Sequence, residues 1–374
     1  MNWYKLSELS YVKSDIDKET WIRKENNRNE EFDVDIYIGK KTNLLKLKKN
    51  IIESIKKNLK EYKKSRTQLY KGELEKVETC PVCGNSSTNS TFIVDIYGAQ
   101  YVKCNECTHL YVKNRPTQKT IHDFYLNNVN YASTYTDKKS AEFRLKSIAV
   151  PWLKWTINVY KKKYGYAPKK ILDVGSGAGH FVEAARRAGI QATGIELSQS
   201  SREFAKNVWG IELCGGNFLD KETYNKFIGY DIVTFWGLLE HTPNPGALLD
   251  VAYKIVSQSP HGGMVISKLP RWLSLSSAIQ RLSTDTIIRH MDPMGHIMLF
   301  SDSSAAELYY LHNFKPVAAW YYGMDIYETL MQIGNKIDSY DHFVKTGELQ
   351  MELQQFIDEM RFSDGLTLVG VPKK

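Results

Sequence analysis

Ile171-Leu172-Asp173-Val174-Gly175-Ser176-Gly177-Ala178-Gly179-His180-Phe181 is the stretch on which the reading of this chain turns. An apolar run ends in an acid, a Gly-x-Gly-x-Gly loop follows, and a helical pattern opens at Phe181. Glycines let the backbone leave a strand sharply and approach a ligand with no Cβ in the way. The dinucleotide fingerprint spaces its glycines as Gly-x-Gly-x-x-Gly, so that a pyrophosphate meets a helix N-terminus. Here the spacing is tighter and Asp173 precedes the loop. A carboxylate at that point is a poor neighbour for a pyrophosphate and suits a ligand bearing an ammonium group.

Outward from the loop, short apolar runs alternate with helical patterns. Ile171–Val174, Ala192–Ile195, Asp231–Phe235, Met264–Ser267 and Val317–Tyr321 read as strands. Phe181–Ala188, Ser200–Val208, Ala247–Val256 and Ser304–Leu311 read as the helices between them. Residues 324–362 read as helical, and Leu366–Val371 as a closing strand. This alternation predicts an α/β fold: a Rossmann-like, doubly wound, mostly parallel sheet with helices on both faces.

Over residues 169 to 374 the sequence resembles the class I S-adenosylmethionine-dependent methyltransferases. The resemblance implies a seven-stranded sheet and S-adenosyl-L-methionine as cofactor. It implies that Asp173 and Gly175, with Gly177 and Gly179, hold the amino-acid end of that cofactor. Glu196, in Thr193-Gly194-Ile195-Glu196-Leu197-Ser198, falls where the family carries an acid for the ribose, and a carboxylate can accept from both hydroxyls. Gly215-Gly216-Asn217-Phe218 falls at the adenine, with Asn217 for the exocyclic amine and Phe218 for the ring. Leu197 and Trp236 complete the expected cofactor contacts. Beyond Trp236 comes Gly237-Leu238-Leu239-Glu240-His241, and Gly295-His296-Ile297-Met298-Leu299-Phe300-Ser301 resembles a late motif of sugar and small-molecule methyltransferases. His296 and His241 are therefore the expected catalytic bases, since imidazole titrates near neutral pH. Some relatives carry Glu-x-x-Glu-His after the fourth strand and hold a metal there. The first acid is Gly237 here, so no metal is expected at that place. Sugar C-methyltransferases with a zinc module place Glu-His where this chain has Gly295-His296, which shifts the expectation towards O-methylation.

Cys80-Pro-Val-Cys83-Gly and Cys104-Asn-Glu-Cys107 are separated by the 20 residues Gly84 to Lys103. Each Cys-x-x-Cys turn offers two thiolates to one cation, and two turns complete a tetrahedron. Cys80, Cys83, Cys104 and Cys107 are expected to hold one structural Zn²⁺, with Thr91–Ile96 and Gln100–Val102 as a hairpin between the pairs. Four sulfurs leave no open position for catalysis. The order of zinc ribbon, then Leu110-Tyr111-Val112-Lys113-Asn114-Arg115-Pro116-Thr117, then catalytic domain resembles bacterial methyltransferases of surface sugars.

The 374 residues are 42% hydrophobic and 25% charged, an ordinary globular composition. No apolar run approaches the ~18 residues of a membrane span, and Met1 to Ser10 does not read as a secretory signal. A cytoplasmic location is the expectation. The net charge of +8 is concentrated between Lys40 and Lys76. There Leu44, Leu47, Ile51, Ile52, Ile55, Leu59 and Tyr62 predict an amphipathic helix over 43–69 with Lys on its other faces. Its apolar stripe suits docking on its own protein or on a twin chain, which leaves room for a homodimer. Its basic face leaves room for peripheral membrane contact. Residues 1–40 read as loop and short elements. The chain thus divides into a helical, basic segment (1–76), a zinc ribbon (77–118), a helical linker or lid (119–165) and a methyltransferase domain (166–374). His109, His122, His180, His261, His290 and His312 are read as structural or exposed.

The function expected is methyl transfer to a small molecule, foremost a nucleotide sugar or surface-polysaccharide precursor. An RNA or protein methyltransferase gripping a polymer through ribbon and basic helix is the alternative. No Asn-Pro-Pro-Tyr or Asp-Pro-Pro-Tyr follows the fourth strand and Cys214 lies outside a Pro-Cys pair, which weighs against nucleic-acid substrates. A non-catalytic scaffold is the third reading, opposed by the intact loop and Glu196.

Overall fold

The computed structural model describes residues 3–5, 17–25, 28–40, 59–117, 119–121, 138–287, 289–341, 345–347 and 349–373. Its centre is a nine-stranded sheet with the order β1-β2-β3-β14-β15-β12-β11-β9-β10. The strands are β1 (Trp3–Lys5), β2 (Lys18–Glu25), β3 (Arg28–Ile38), β9 (Lys170–Val174), β10 (Gln191–Ile195), β11 (Ile232–Trp236), β12 (Met264–Pro270), β14 (Phe314–Tyr321) and β15 (Gly365–Pro372). β10, β9, β11 and β12 run parallel. β15 runs antiparallel to β12 and to β14.

All six strands expected between Lys169 and the end of the chain are present. A seventh, beyond β10, is reduced to the single parallel bridge Ile195↔Cys214. The larger difference lies in residues 1–40, expected as loop. β3 lies parallel to β14, and β2 and β1 follow it antiparallel, so this segment widens the sheet by three strands. The cause is legible afterwards: Phe32, Val34 and Ile36 are buried while Glu31 and Asp33 are exposed. That is the period-two pattern of a half-buried strand. The strands are pinned to the helix Asp302–Leu311, where the Arg23 guanidinium donates twice to the buried Glu307 carboxylate, at 2.9 and 3.1 Å.

Helices cover both faces. On one lie Val150–Tyr164 and His180–Arg187, packed over Ile171, Ile232, Ile266, Ala318 and Val369. On the other lie Pro245–Val256 and Asp302–Leu311, over Val233, Phe235, Leu368 and Ala319. Pro151 does not break its helix. A π-turn over Leu145–Ala149 precedes it, and this looser turn accommodates a residue that offers no N–H. The predicted helical stretch 324–362 contains Asp325–Ile337 and Leu349–Glu359.

The cysteine segment forms its expected hairpin, β5 (Ser90–Ile96) with β6 (Ala99–Cys104). The hairpin does not stand apart. β7 (Leu110–Val112) pairs with β6 and also with β13 (Met298–Leu299), which belongs to the late motif of the catalytic region. Of the predicted basic helix, residues 59–69 are helical and 43–58 lie outside the described residues. Its described end docks on its own chain: the Arg66 guanidinium grips the Asp292 carboxylate at 2.7 and 3.0 Å, and the Tyr70 hydroxyl donates to the Pro293 carbonyl at 2.9 Å.

Candidate active site

The glycine loop leaves β9 and enters His180–Arg187 with Gly175, Gly177 and Gly179 at φ of 70°, 52° and 75°. Those values lie in the left-handed region that glycine adopts without strain. A Cβ on Gly175 would stand 3.0 Å from the Leu238 side chain, whereas one on Gly177 would meet nothing within 4 Å. Gly177 therefore faces a space that a side chain would fill. The Gly177 N–H donates to the Glu196 carboxylate at 2.8 Å, and the other Glu196 oxygen accepts from the Ser198 N–H at 2.8 Å. The expected ribose acid thus sits against the loop. Leu197, which follows Glu196, and Asn217 are exposed, Leu197 at 67%. Phe218 differs from expectation: it is buried and edge-on to Phe235, so the core already occupies its ring. Trp236 stacks on Trp152 at 4.4 Å with the planes 7° apart.

Asp173 is buried and accepts a hydrogen bond from the Thr234 hydroxyl at 2.7 Å. Burial pushes its carboxyl up to about 7, against the Thr234 bond and with the Glu196 charge adding to the rise. A buried carboxylate in this state gains by receiving a cation. These two acceptors thus fit a ligand with an ammonium group and vicinal hydroxyls, as S-adenosyl-L-methionine has.

Beyond β11, the short helical turn Leu239–His241 presents a buried acid, Glu240, and a half-exposed histidine, His241. His296 arrives from the late motif. Each imidazole has its Nδ1 on a backbone carbonyl, His241 on Gly295 at 2.8 Å and His296 on His290 at 2.5 Å. A carbonyl can only accept, so both Nδ1 atoms donate, and in the neutral imidazole Nε2 then presents the lone pair. Those two atoms lie 3.8 and 3.9 Å from the same Glu240 oxygen. The other Glu240 oxygen is buried without a hydrogen-bond partner among the described residues. The ring centroids are 5.1 Å apart. Burial, followed by the neighbouring His241 and His290, holds His296 well below the usual imidazole range, so it is neutral at physiological pH. One atom of each of Glu240, His241 and His296 lies within 4.8 Å of the others, close enough for these groups to share a proton or a metal ion. Sequence reading from Gly237 alone expected no metal here; it did not anticipate that His296 would complete a third ligand position.

The four cysteines converge as expected. Cys80 and Cys107 sulfurs are 3.6 Å apart, as are those of Cys83 and Cys104. A tetrahedron with ~2.3 Å zinc–sulfur bonds has edges of about 3.8 Å, so the spacing fits one Zn²⁺. The ribbon reaches the catalytic region directly. The buried Tyr101 hydroxyl donates to the His296 carbonyl at 2.8 Å, and the Val112 N–H donates to the Ile297 carbonyl at 2.9 Å. Of the other histidines, His109 is buried between Tyr111 and Phe300, His290 bonds Ser277 at 2.8 Å, and His312 pairs with Asp250 at 2.7 Å. His122 lies outside the described residues.

A family described as a methyltransferase domain matches residues 127–319, more than half of the chain, and the chain belongs to it. The chain thus carries a methyltransferase domain. Among curated proteins it is similar to the ubiquinone biosynthesis O-methyltransferases of Psychrobacter arcticus, 32% identical over 117 residues, and Erwinia tasmaniensis, 29% identical over 132 residues. These alignments cover 29% and 34% of this chain and 43% and 51% of the relatives, so the chain spans about half their length at most. Among solved structures it is similar to a SAM-dependent methyltransferase from Archaeoglobus fulgidus, at 15% identity and TM-score 0.40, over 62% of this chain and 98% of that one. It is likewise similar to the plantazolicin methyltransferase BamL, at 15% identity and TM-score 0.43, over 64% and 92%. Among the described residues no helix is long and apolar enough to cross a membrane.

Proposed function

We propose that this enzyme methylates a hydroxyl of a small molecule. The observation that carries the reading is the convergence of the Glu240 oxygen with the two Nε2 lone pairs of His241 and His296, a set of acceptors with no donor among them. When bound, S-adenosyl-L-methionine supplies an electrophilic methyl group on its sulfonium. Asp173 would take its ammonium, Gly175, Gly177 and Gly179 would leave room for its backbone, and Glu196 would take the ribose hydroxyls. Asn217 and Leu197 would border the adenine, and Trp236 would wall the cleft.

An acceptor hydroxyl must lose its proton as the new C–O bond forms, and a placed base contributes typically ~10²–10⁴-fold. His296 is the preferred base and His241 the second. Either would become an imidazolium beside Glu240, whose carboxylate then stabilises the charge. The same three groups would also suit a divalent cation, which would lower the acceptor's pKa instead. Metal beyond the ribbon zinc in the active protein, lost in Glu240→Gln while the ribbon zinc stays, separates the two.

For the acceptor, a nucleotide sugar or surface-polysaccharide precursor is our reading from the ribbon-then-catalytic order. The O-methyltransferase relatives support a small-molecule hydroxyl. The RNA or protein alternative is disfavoured by the commitment of Arg66, Leu69 and Tyr70 to intramolecular packing. Turnover on a panel of nucleotide sugars and hydroxylated aromatics, followed by mass spectrometry for a gain of one methyl, tests the proposal. Silence across the panel together with salt-sensitive methylation of RNA would replace it with the polymer reading.

A further inference from the structure

One row of the central sheet carries a cation among rings. Trp236, Lys268, Thr367, Trp320 and Tyr37 are paired laterally across β11, β12, β15, β14 and β3. Residues directly opposite one another point to the same face. The row lies towards the carboxyl ends of the parallel strands, the edge where doubly wound sheets bind ligands. The helix Val150–Tyr164 lays Trp152 on Trp236 and brings Trp155 to 4.9 Å from Trp320 and 5.6 Å from Tyr37. Tyr322 packs on Trp320 at 4.4 Å.

Lys268 stands in the middle of this wall. Among the described residues it makes no hydrogen bond and has no carboxylate within 4 Å. Its Nζ is 6.0 Å from the Tyr322 ring centre. The Nζ of Lys40 is 5.7 Å from the same ring and 5.8 Å from Trp152. Arg144 adds positive charge within electrostatic reach of both. Of the acids in range, Asp364 accepts from Arg289, Ser276 and the Met324 N–H, and Glu240 acts on Lys268 only through its charge from beyond 4 Å. Burial depresses both ammonium groups, Lys40 to about 7. Crowding like charges onto an aromatic wall lowers stability, and the cost is offset if an anion arrives.

We propose that Lys268, with Lys40 across the Tyr322 ring, anchors an anionic group, phosphate or carboxylate, carried by the methyl acceptor. This inference rests on the methyltransferase reading of the adjacent site. It adds a requirement which that reading lacks: the acceptor is charged, and its anionic group lies on the β12 side of Glu240.

The test uses the full-length protein saturated with S-adenosylhomocysteine, titrated with pyrophosphate and separately with malonate at constant ionic strength. Tryptophan fluorescence reports binding, because Trp152 and Trp236 line the place. Wild type is expected to bind at least one probe. Stronger pyrophosphate binding marks a phosphorylated acceptor, and stronger malonate binding an acidic one. Lys268→Met should weaken that probe about ten-fold or more, the worth of a charge-assisted hydrogen bond, and Lys268→Arg should stay within about three-fold of wild type. S-adenosylhomocysteine affinity should be unchanged in both variants, and Lys268→Met should melt no lower than wild type, since it relieves the crowded charge. The proposal is overturned if neither probe binds wild type, or if Lys268→Met binds both as wild type does. A matching loss of S-adenosylhomocysteine affinity would also overturn it, by placing the lysine at the cofactor. A wild type that failed to bind S-adenosylhomocysteine would instead remove the cofactor assignment, and the anion titration run without it would still decide the role of Lys268.

Discussion

His241 and His296 reach the same buried carboxylate from two distant parts of the chain, their Nε2 atoms 3.8 and 3.9 Å from one Glu240 oxygen. Gly295 makes the approach feasible. A Cβ at that position would stand 3.3 Å from the His241 ring, tighter than most such contacts. The glycine at this position thus clears space for the second imidazole.

If one of these histidines takes the acceptor proton, His296→Ala or His241→Ala should lower turnover by ~10²–10⁴-fold while cofactor affinity stays near wild type. Glu240→Gln should lower it as well, since the imidazolium loses its counter-charge. Single-turnover rates on the identified acceptor check this. Wild-type rates in both histidine variants would exclude either as the base.

Asp173 makes cofactor binding depend on pH. Its free carboxyl sits at about 7, and an ammonium ligand would pull that value down, so binding below pH 7 must expel a proton. Affinity for S-adenosylhomocysteine should therefore fall as pH drops below 7, by up to about ten-fold per unit, and be flat above. For folding the sign is opposite. The folded value is raised, so the stabilisation from this group is present at low pH and lost as pH rises through 7. Calorimetry from pH 5.5 to 8 on wild type and Asp173→Asn measures the first effect, and a pH-independent wild type would contradict it.

Gly177→Arg should fill the space beside the loop, and Glu196→Ala should remove a charged acceptor worth ~1.5–3 kcal/mol, roughly ten-fold or more in cofactor affinity. Equilibrium binding of S-adenosyl-L-methionine to both variants decides the point. Two unchanged constants would remove these residues from the cofactor site.

Metal analysis should find about one zinc per chain, by the four-thiolate rule. Cys104→Ser should lose it and lower turnover too, because Tyr101 and Val112 of the ribbon hold the His296 and Ile297 carbonyls. Tyr101→Phe keeps the zinc and removes only the hydroxyl's bonds to the His296 and Met291 carbonyls, so a slower enzyme with full metal content would isolate that link. A zinc-free protein with full activity would count against the coupling.

Arg23→Met should destabilise the fold by about 3–5 kcal/mol, since it leaves the buried Glu307 charge with little compensation beyond the Trp3 indole N–H. The double variant Arg23→Met with Glu307→Leu should recover most of that loss. Urea denaturation of the three proteins tests the sign.

Much of this was legible in the sequence. The six catalytic strands, the glycine loop and the two Cys-x-x-Cys turns are local patterns, and local patterns survive folding. Phe32, Val34 and Ile36 carried an equally plain alternation, which was hidden by the acids between them. The meeting of Glu240, His241 and His296 was not legible, because it depends on where β13 lies against β7. Phe218 is a different case. Its place in the motif suggested a ligand contact, but an aromatic residue beside β11 finds Phe235 first.

The parallel pairing of β3 with β14 has a further consequence. Without it, β14 would be the last strand of the sheet on that side, with the outward backbone groups between Ala318 and Tyr321 left unpaired. Such an edge templates pairing with other chains. Instead, among the described residues, the row ends in β1, three residues long, too short a platform to recruit a neighbour. A version of the protein begun after residue 40 would keep its glycine loop, histidines and cysteines, and would be expected to aggregate.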